Sequence, residues 1–201
     1  MINKIARLIS WILSPLLIPA YGTAMSLWLT AYSAMPHALL WRVTAVVWTI
    51  TCLVPMIAIL VLWATHFVTD LGLNKRRERP VPYVLTVICY IVAALYLSAA
   101  HAPQWMWLFM VAGAGAALVS FVVNFWWKIS AHMAAMGGLL ALTFRMAADH
   151  LAVVDMWPVI TAVILLTGLL GTCRIQLHCH TLAQVFAGTA NGFLWVWVLT
   201  I

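Results

Sequence analysis

The sequence predicts an all-α fold, a polytopic transmembrane helical bundle of six to seven spans, and three observations carry that expectation. Hydrophobic residues fill 66% of the 201 positions and charged residues only 7%, against about a quarter charged in soluble domains. The mean hydropathy is +1.08. The apolar residues also come in unbroken runs rather than the alternation of a membrane strand, which favours helices over a barrel. At about 20 residues per span, the chain is expected to be one integral membrane domain, residues 1–201, with short loops and no soluble part.

The first run, residues 5–31, follows Lys4 and reads as a span kinked at Pro15 or Pro19. It has the flavour of a signal peptide, but no soluble domain follows it. Residues 40–67 form the second expected span, 83–101 the third and 104–127 the fourth. Residues 131–147 form the fifth, 157–173 the sixth and 181–201 the seventh. Tryptophans gather near these ends (Trp41, Trp105, Trp126, Trp127, Trp157), as an interfacial belt would require. Gly188 and Gly192 make a GxxxG pair, and Gly137 with Gly138 offers another close helix contact. The four cysteines contain no CxxC pair and read as reduced, structural residues.

Parity along these spans brings three polar segments to one membrane face, here called side A: residues 68–82, 126–132 and 172–180. Lys4 and Arg7 join them if the first run crosses once. Side A then carries eight of the ten cations, leaving Arg42 and Arg145 on side B with His37, His101, His150, Asp149 and Asp155. The basic residues are too few for a nucleic-acid stripe, so no nucleic-acid partner is expected; an anionic ligand or lipid headgroup is the more economical one. Cation counting alone points side A to the cytoplasm, but the count includes candidate site residues and assigns no orientation.

Each polar segment has a plain reading and a chemical one. The cluster Lys75, Arg76, Arg77 and Arg79 is a topology signal or a set of forks for phosphate oxygens, stiffened by Pro80 and Pro82. Lys128 and His132 lie four apart, on one face if helical, and Ser130 precedes a helix N-terminus that favours an anion. Arg174, His180 and Gln184 form the third set. A histidine can attack phosphorus and divide one hard displacement into two, provided that an acceptor such as Gln184 orients its other nitrogen. A second histidine serves as proton donor, and cations hold the non-bridging oxygens. The scheme calls for no metal and no cofactor.

In this order the residues resemble the type 2 phosphatidic acid phosphatase superfamily, whose motifs read KxxxxxxRP, PSGH and SRxxxxxHxxxD. Arg79-Pro80 matches the end of the first motif, Ser130 and His132 the second, and Arg174 and His180 the third. The chain departs from the pattern at Gly72 in place of lysine, at Ile129 and Ala131 in the second motif, and at Gln184 in place of aspartate. It is more similar to a divergent bacterial branch with RRERxxPY, KISAH and HTxAQ. The resemblance implies a lipid-phosphatase-like core over about residues 70–192. It implies His180 as nucleophile, His132 as general acid and Arg174 as phosphate clamp, with Arg76, Arg77 or Lys128 replacing the missing first-motif cation. A metal-independent lipid phosphatase of a bacterial inner membrane is the expectation, acting on phosphatidate, phosphatidylglycerophosphate or a polyprenyl diphosphate. The alternative is a catalytically silent phospholipid-binding or transport protein. His178 and Cys179 lie outside the pattern, while His66 and Asp70 could line the pocket or simply pack.

Overall fold

The computed structural model describes residues 1–73 and 75–200. Asn74, within the first polar segment, and Ile201, the last residue of the seventh expected span, lie outside the described residues. Among the described residues the chain is helical and no strand forms. The helices are α1 (Ile2–Ile12), α2 (Ile18–Trp28), α3 (His37–Trp48), α4 (Val54–Ala64), α5 (Pro80–Ala99), α6 (Gln104–Val123), α7 (Ala131–Ala148), α8 (Trp157–Gln176) and α9 (Leu182–Leu199). A π turn over Thr49–Leu53 joins α3 to α4 in one 28-residue helix, His37–Ala64. Pro55 has no N–H for the carbonyl four residues back, and a wider turn just before it accommodates that loss. Five helices are long and apolar enough to cross a membrane: His37–Ala64, α5, α6, α8 and α9. Leu95, Leu165, Phe186 and Val198 point outward from them, as a lipid-facing surface requires. The chain is a multi-pass membrane protein.

The expected run 5–31 is two helices, not one kinked span. Pro15 denies the backbone a donor and Ser14 before it is steered out of the helical region, so α1 ends at Ile12 and α2 restarts with Pro19 in its first turn. Two tyrosines take up carbonyls freed by the break: Tyr21 Oη donates to Ile12 O at 3.0 Å and Tyr90 Oη to Pro15 O at 3.0 Å. α1 packs on α8. It leaves Ile2, Ile5, Leu8 and Ile12 exposed at helical spacing beside Asn3, Lys4 and Arg7, the pattern of a helix lying in the membrane interface. α2 is mostly interior, and its hydroxyls Thr23 and Ser26 bond back to Pro19 O and Gly22 O, so neither of these buried hydroxyls goes unmet.

α7 and α9 make the most extensive helix pair, and glycine explains why. A Cβ on Gly188 would lie 2.5 Å from Ser130 O, on Gly192 1.7 Å from Ala134 O, and on Gly137 2.1 Å from Thr189 O. Backbone meets backbone along this seam. α6 joins through Asn191, whose side-chain amide donates to Ala116 O at 2.9 Å.

Four helices end in one device. After α4, α5, α7 and α8 the chain turns with a histidine at positive φ: His66, His101, His150 and His178. At each, two backbone donors reach back. For α8 these are His178 N to Ile175 O at 2.9 Å and Cys179 N to Arg174 O at 3.1 Å, the pair of bonds of a Schellman cap. Glycine is the usual residue there because a Cβ costs about 1 kcal/mol in this region. His178→Gly is therefore expected to raise the thermal midpoint slightly, with a net gain of about a few tenths of a kcal/mol once its looser unfolded chain is counted. It should leave any activity unchanged, as thermal unfolding and a phosphate-release assay of the same preparation would show. On side B, the charged residues Asp149 and Arg145 meet at the end of α7. They form an ion pair, and Arg145 lies over the Trp197 ring at 5.2 Å.

Candidate functional site

The three polar segments meet. The Arg79 guanidinium donates from Nε to Leu73 O at 2.8 Å and from an Nη to Ile129 O at 3.1 Å, tying the first segment to the second. Ser130 N donates to Gln184 O at 3.4 Å, tying the second to the start of α9. His180 N and Cys179 N both reach Arg174 O. Glu78 anchors the basic loop from outside: its carboxylate accepts from Thr69 N and Oγ1 at 2.9 and 2.8 Å and pairs with Lys75 at 3.7 Å. The Thr69 backbone donor, more than the lysine, holds its carboxyl below the usual range.

His180 is buried, just ahead of α9. Its Nδ1 lies 3.1 Å from Gln184 Oε1, the contact expected from the sequence. That same oxygen accepts Thr181 N–H at 3.2 Å, while Thr181 Oγ1 accepts Gln184 N–H at 3.4 Å. This is a capping box, and it decides a chemical question. The Thr181 donor sets which end of the Gln184 amide faces His180. An acceptor oxygen there puts the imidazole proton on Nδ1 and leaves Nε2 with its lone pair. The pattern T-x-x-Q at residues 181–184 was available in the sequence as the signal.

Burial first, then the charges of Arg79, Arg174 and Lys128, push the His180 imidazole down from 6.5 to about 3. The ring is neutral at physiological pH. Its folded value lies below its unfolded one, so between pH 3 and 6.5 the unfolded chain holds more protons. The contribution is complete above about pH 6.5 and declines as pH falls toward 3. A plot of thermal midpoint against pH is expected to fall through this window and to fall less steeply in His180→Asn.

His132 lies in the first turn of α7, capped by Ser130, whose Oγ accepts Met133 N–H at 3.4 Å. Its Nε2 is 3.2 Å from the Ser10 carbonyl of α1, so that nitrogen carries a proton. The Ser10 carbonyl orients His132 as Gln184 orients His180. Nothing in the sequence marked Ser10, since a backbone acceptor has no side-chain signature.

The remaining candidates divide. Arg174, Arg79, His132 and His180 line one cavity of about 1010 Å³, joined at its polar end by Arg7, Asp70 and Cys179. Asp70 thus lines the pocket, while His66 is exposed and outside it. Lys128 precedes α7, so it does not share a helical face with His132 as expected. It stays near enough to His180 to lower its pKa, and burial holds its own ammonium below the usual value. Arg76, Arg77, Ser130 and Gln184 do not line the cavity. Arg77 is exposed, Arg76 gives its carbonyl to Asn124 Nδ2 at 3.0 Å, and Ser130 serves as a cap. Away from the polar end the cavity is apolar, passing Phe109, Met110, Gly113 and Ala116 to reach Val196. Beside the α1–α2 break it meets Leu16, Leu17, Met56 and Leu60. Among the described residues the four cysteines form no disulfide, and no cluster of metal-ligating side chains forms.

Comparison with known proteins gives no match: no family model, no curated protein and no solved structure is similar to this chain.

Proposed function

We propose that this chain is a membrane lipid-phosphate hydrolase that acts through a phosphohistidine at His180. The observation carrying the reading is a single cavity with two characters, a cationic, histidine-bearing end continuous with an apolar shaft. An amphiphile with a phosphate head fits both. Pockets for small ligands run to about 1000 Å³, so this volume admits a head and a length of tail. α2 and α7 would complete seven crossings, consistent with the bridge between Thr30 and Ala152 beyond their far ends.

In the reaction, His180 Nε2 attacks phosphorus and the bond to the leaving oxygen breaks. Binding of the anionic head lets His132 take up a second proton from solvent on Nδ1; that proton passes to the leaving oxygen, while Nε2 keeps its own and donates it in a hydrogen bond to Ser10 O. Water then attacks the phosphohistidine, His132 accepts its proton, and phosphate leaves. Arg174 and Arg79 hold the non-bridging oxygens, since phosphoryl transfer is served chiefly by positioning and charge. The resemblance to the type 2 phosphatidic acid phosphatases supports this assignment of roles, and a bacterial inner membrane is the proposed setting. The test is phosphate release by purified protein from phosphatidate, phosphatidylglycerophosphate and polyprenyl diphosphates.

One observation favours a second reading, a phospholipid binder without turnover. The His180 partner is an amide, which orients the ring but stabilises its cation less than a carboxylate does. Trapping separates the two: acid-labile phosphate on His180 supports the hydrolase, and tight lipid-phosphate binding with no release supports the binder.

A further inference from the structure

The hydroxyl of Tyr83 is a buried donor that the protein does not use. Tyr83 lies in the first turn of α5, four residues past Arg79, and is 7% exposed. Its Oη lies beside the Arg79 guanidinium, which can only donate to it, and its O–H finds no acceptor among the described residues; Arg174 Nε likewise has no partner there. Both residues line the polar cavity. A buried phenol without an acceptor is costly, and phenylalanine would fill the same volume without that cost. Two unspent donors thus belong to residues lining one cavity, with Arg79, whose Nε and one Nη are committed to backbone carbonyls.

We propose that Tyr83 is a substrate-binding residue whose hydroxyl donates to a phosphoryl oxygen held between Arg79 and Arg174. This rests on the proposed phosphate chemistry of the same cavity but not on turnover, because a silent binder would use the same bond. The ligand chemistry is a tetrahedral phosphoryl group, supplied by a lipid head or by free phosphate.

The test is Tyr83→Phe in the full chain, purified in detergent, with affinity read from the ligand-induced rise in thermal midpoint. Two probes are used, inorganic phosphate alone and phosphatidate in mixed micelles. The variant is expected to fold with an unchanged or higher midpoint without ligand, and to bind the phosphoryl probe about 10- to 100-fold more weakly, the scale of one hydrogen bond to a charged group. A loss with phosphatidate alone identifies the lipid head as the source; a loss with both shows that the phosphoryl group suffices. Unchanged affinity for both probes overturns the proposal, as does a loss matched by a collapsed midpoint. Arg174→Gln, measured alongside, must weaken the same probes. If it does while wild-type protein releases no phosphate from any lipid, the hydrolase reading fails and the Tyr83 contact stands.

Discussion

His180→Ala is expected to reduce phosphate release from the best lipid substrate by about 10⁴-fold or more, the scale of losing a covalent nucleophile. The geometry isolates this residue from its neighbour. His178 is exposed, at positive φ, and ends α8. His180 is buried, with Nδ1 on Gln184, which leaves the lone pair on Nε2. Release that survives in His180→Ala at the wild-type rate would refute the mechanism. The same site makes Gln184→Glu informative, because glutamate preserves the capping box around Thr181. A carboxylate on Nδ1 stabilises the imidazolium, so the acid limb of the pH–rate profile is expected to move toward neutral pH. An unmoved limb would mean that His180 is not the group titrating in turnover.

Gly192→Ala is expected to cost about 3 kcal/mol or to prevent folding, near the upper end for overpacking. The added Cβ would stand 1.7 Å from Ala134 O and 3.0 Å from its Cα. A backbone carbonyl inside a helix cannot swing aside as a side chain can, so α7 and α9 must part. Ser130 and His132 then separate from His180 and Gln184, and activity should fall with stability. Gly168→Ala in α8 is the control, since a Cβ there meets nothing within 4 Å and alanine favours the helix by about 1 kcal/mol. Thermal midpoints and size-exclusion profiles of the two variants should diverge in opposite directions from wild type.

The spans were legible because a bilayer tolerates only long apolar helices, and residues 83–101, 104–127, 131–147, 157–173 and 181–201 all lie largely on observed helices. The seam glycines were legible for a related reason: helices pack closely in lipid through small residues. Parity alone brought Arg79, Ser130, Arg174 and His180 to one side. The run 5–31 misled because its apolar content exceeds its helical continuity, and Pro15 acts through a missing donor that composition does not register. Lys128 and His132 were paired by spacing, yet the helix begins after Lys128, and spacing has meaning only inside a helix. Arg76 and Arg77 shared a basic cluster with Arg79, but Arg79 is the one that turns inward to meet carbonyls of its own loop and of the second segment.

By itself the sequence determined the membrane class, the order of the helices from α5 to α9, and which ionisable residues lie at a cost beside the apolar runs. Periodicity and length in a bilayer leave few alternatives to those. Only the tertiary structure decided that Ser10 O orients His132, that Thr181 sets the Gln184 amide and with it the His180 tautomer, and that the cationic end opens onto an apolar shaft. These depend on backbone groups and on shape, and neither is written in side-chain identity.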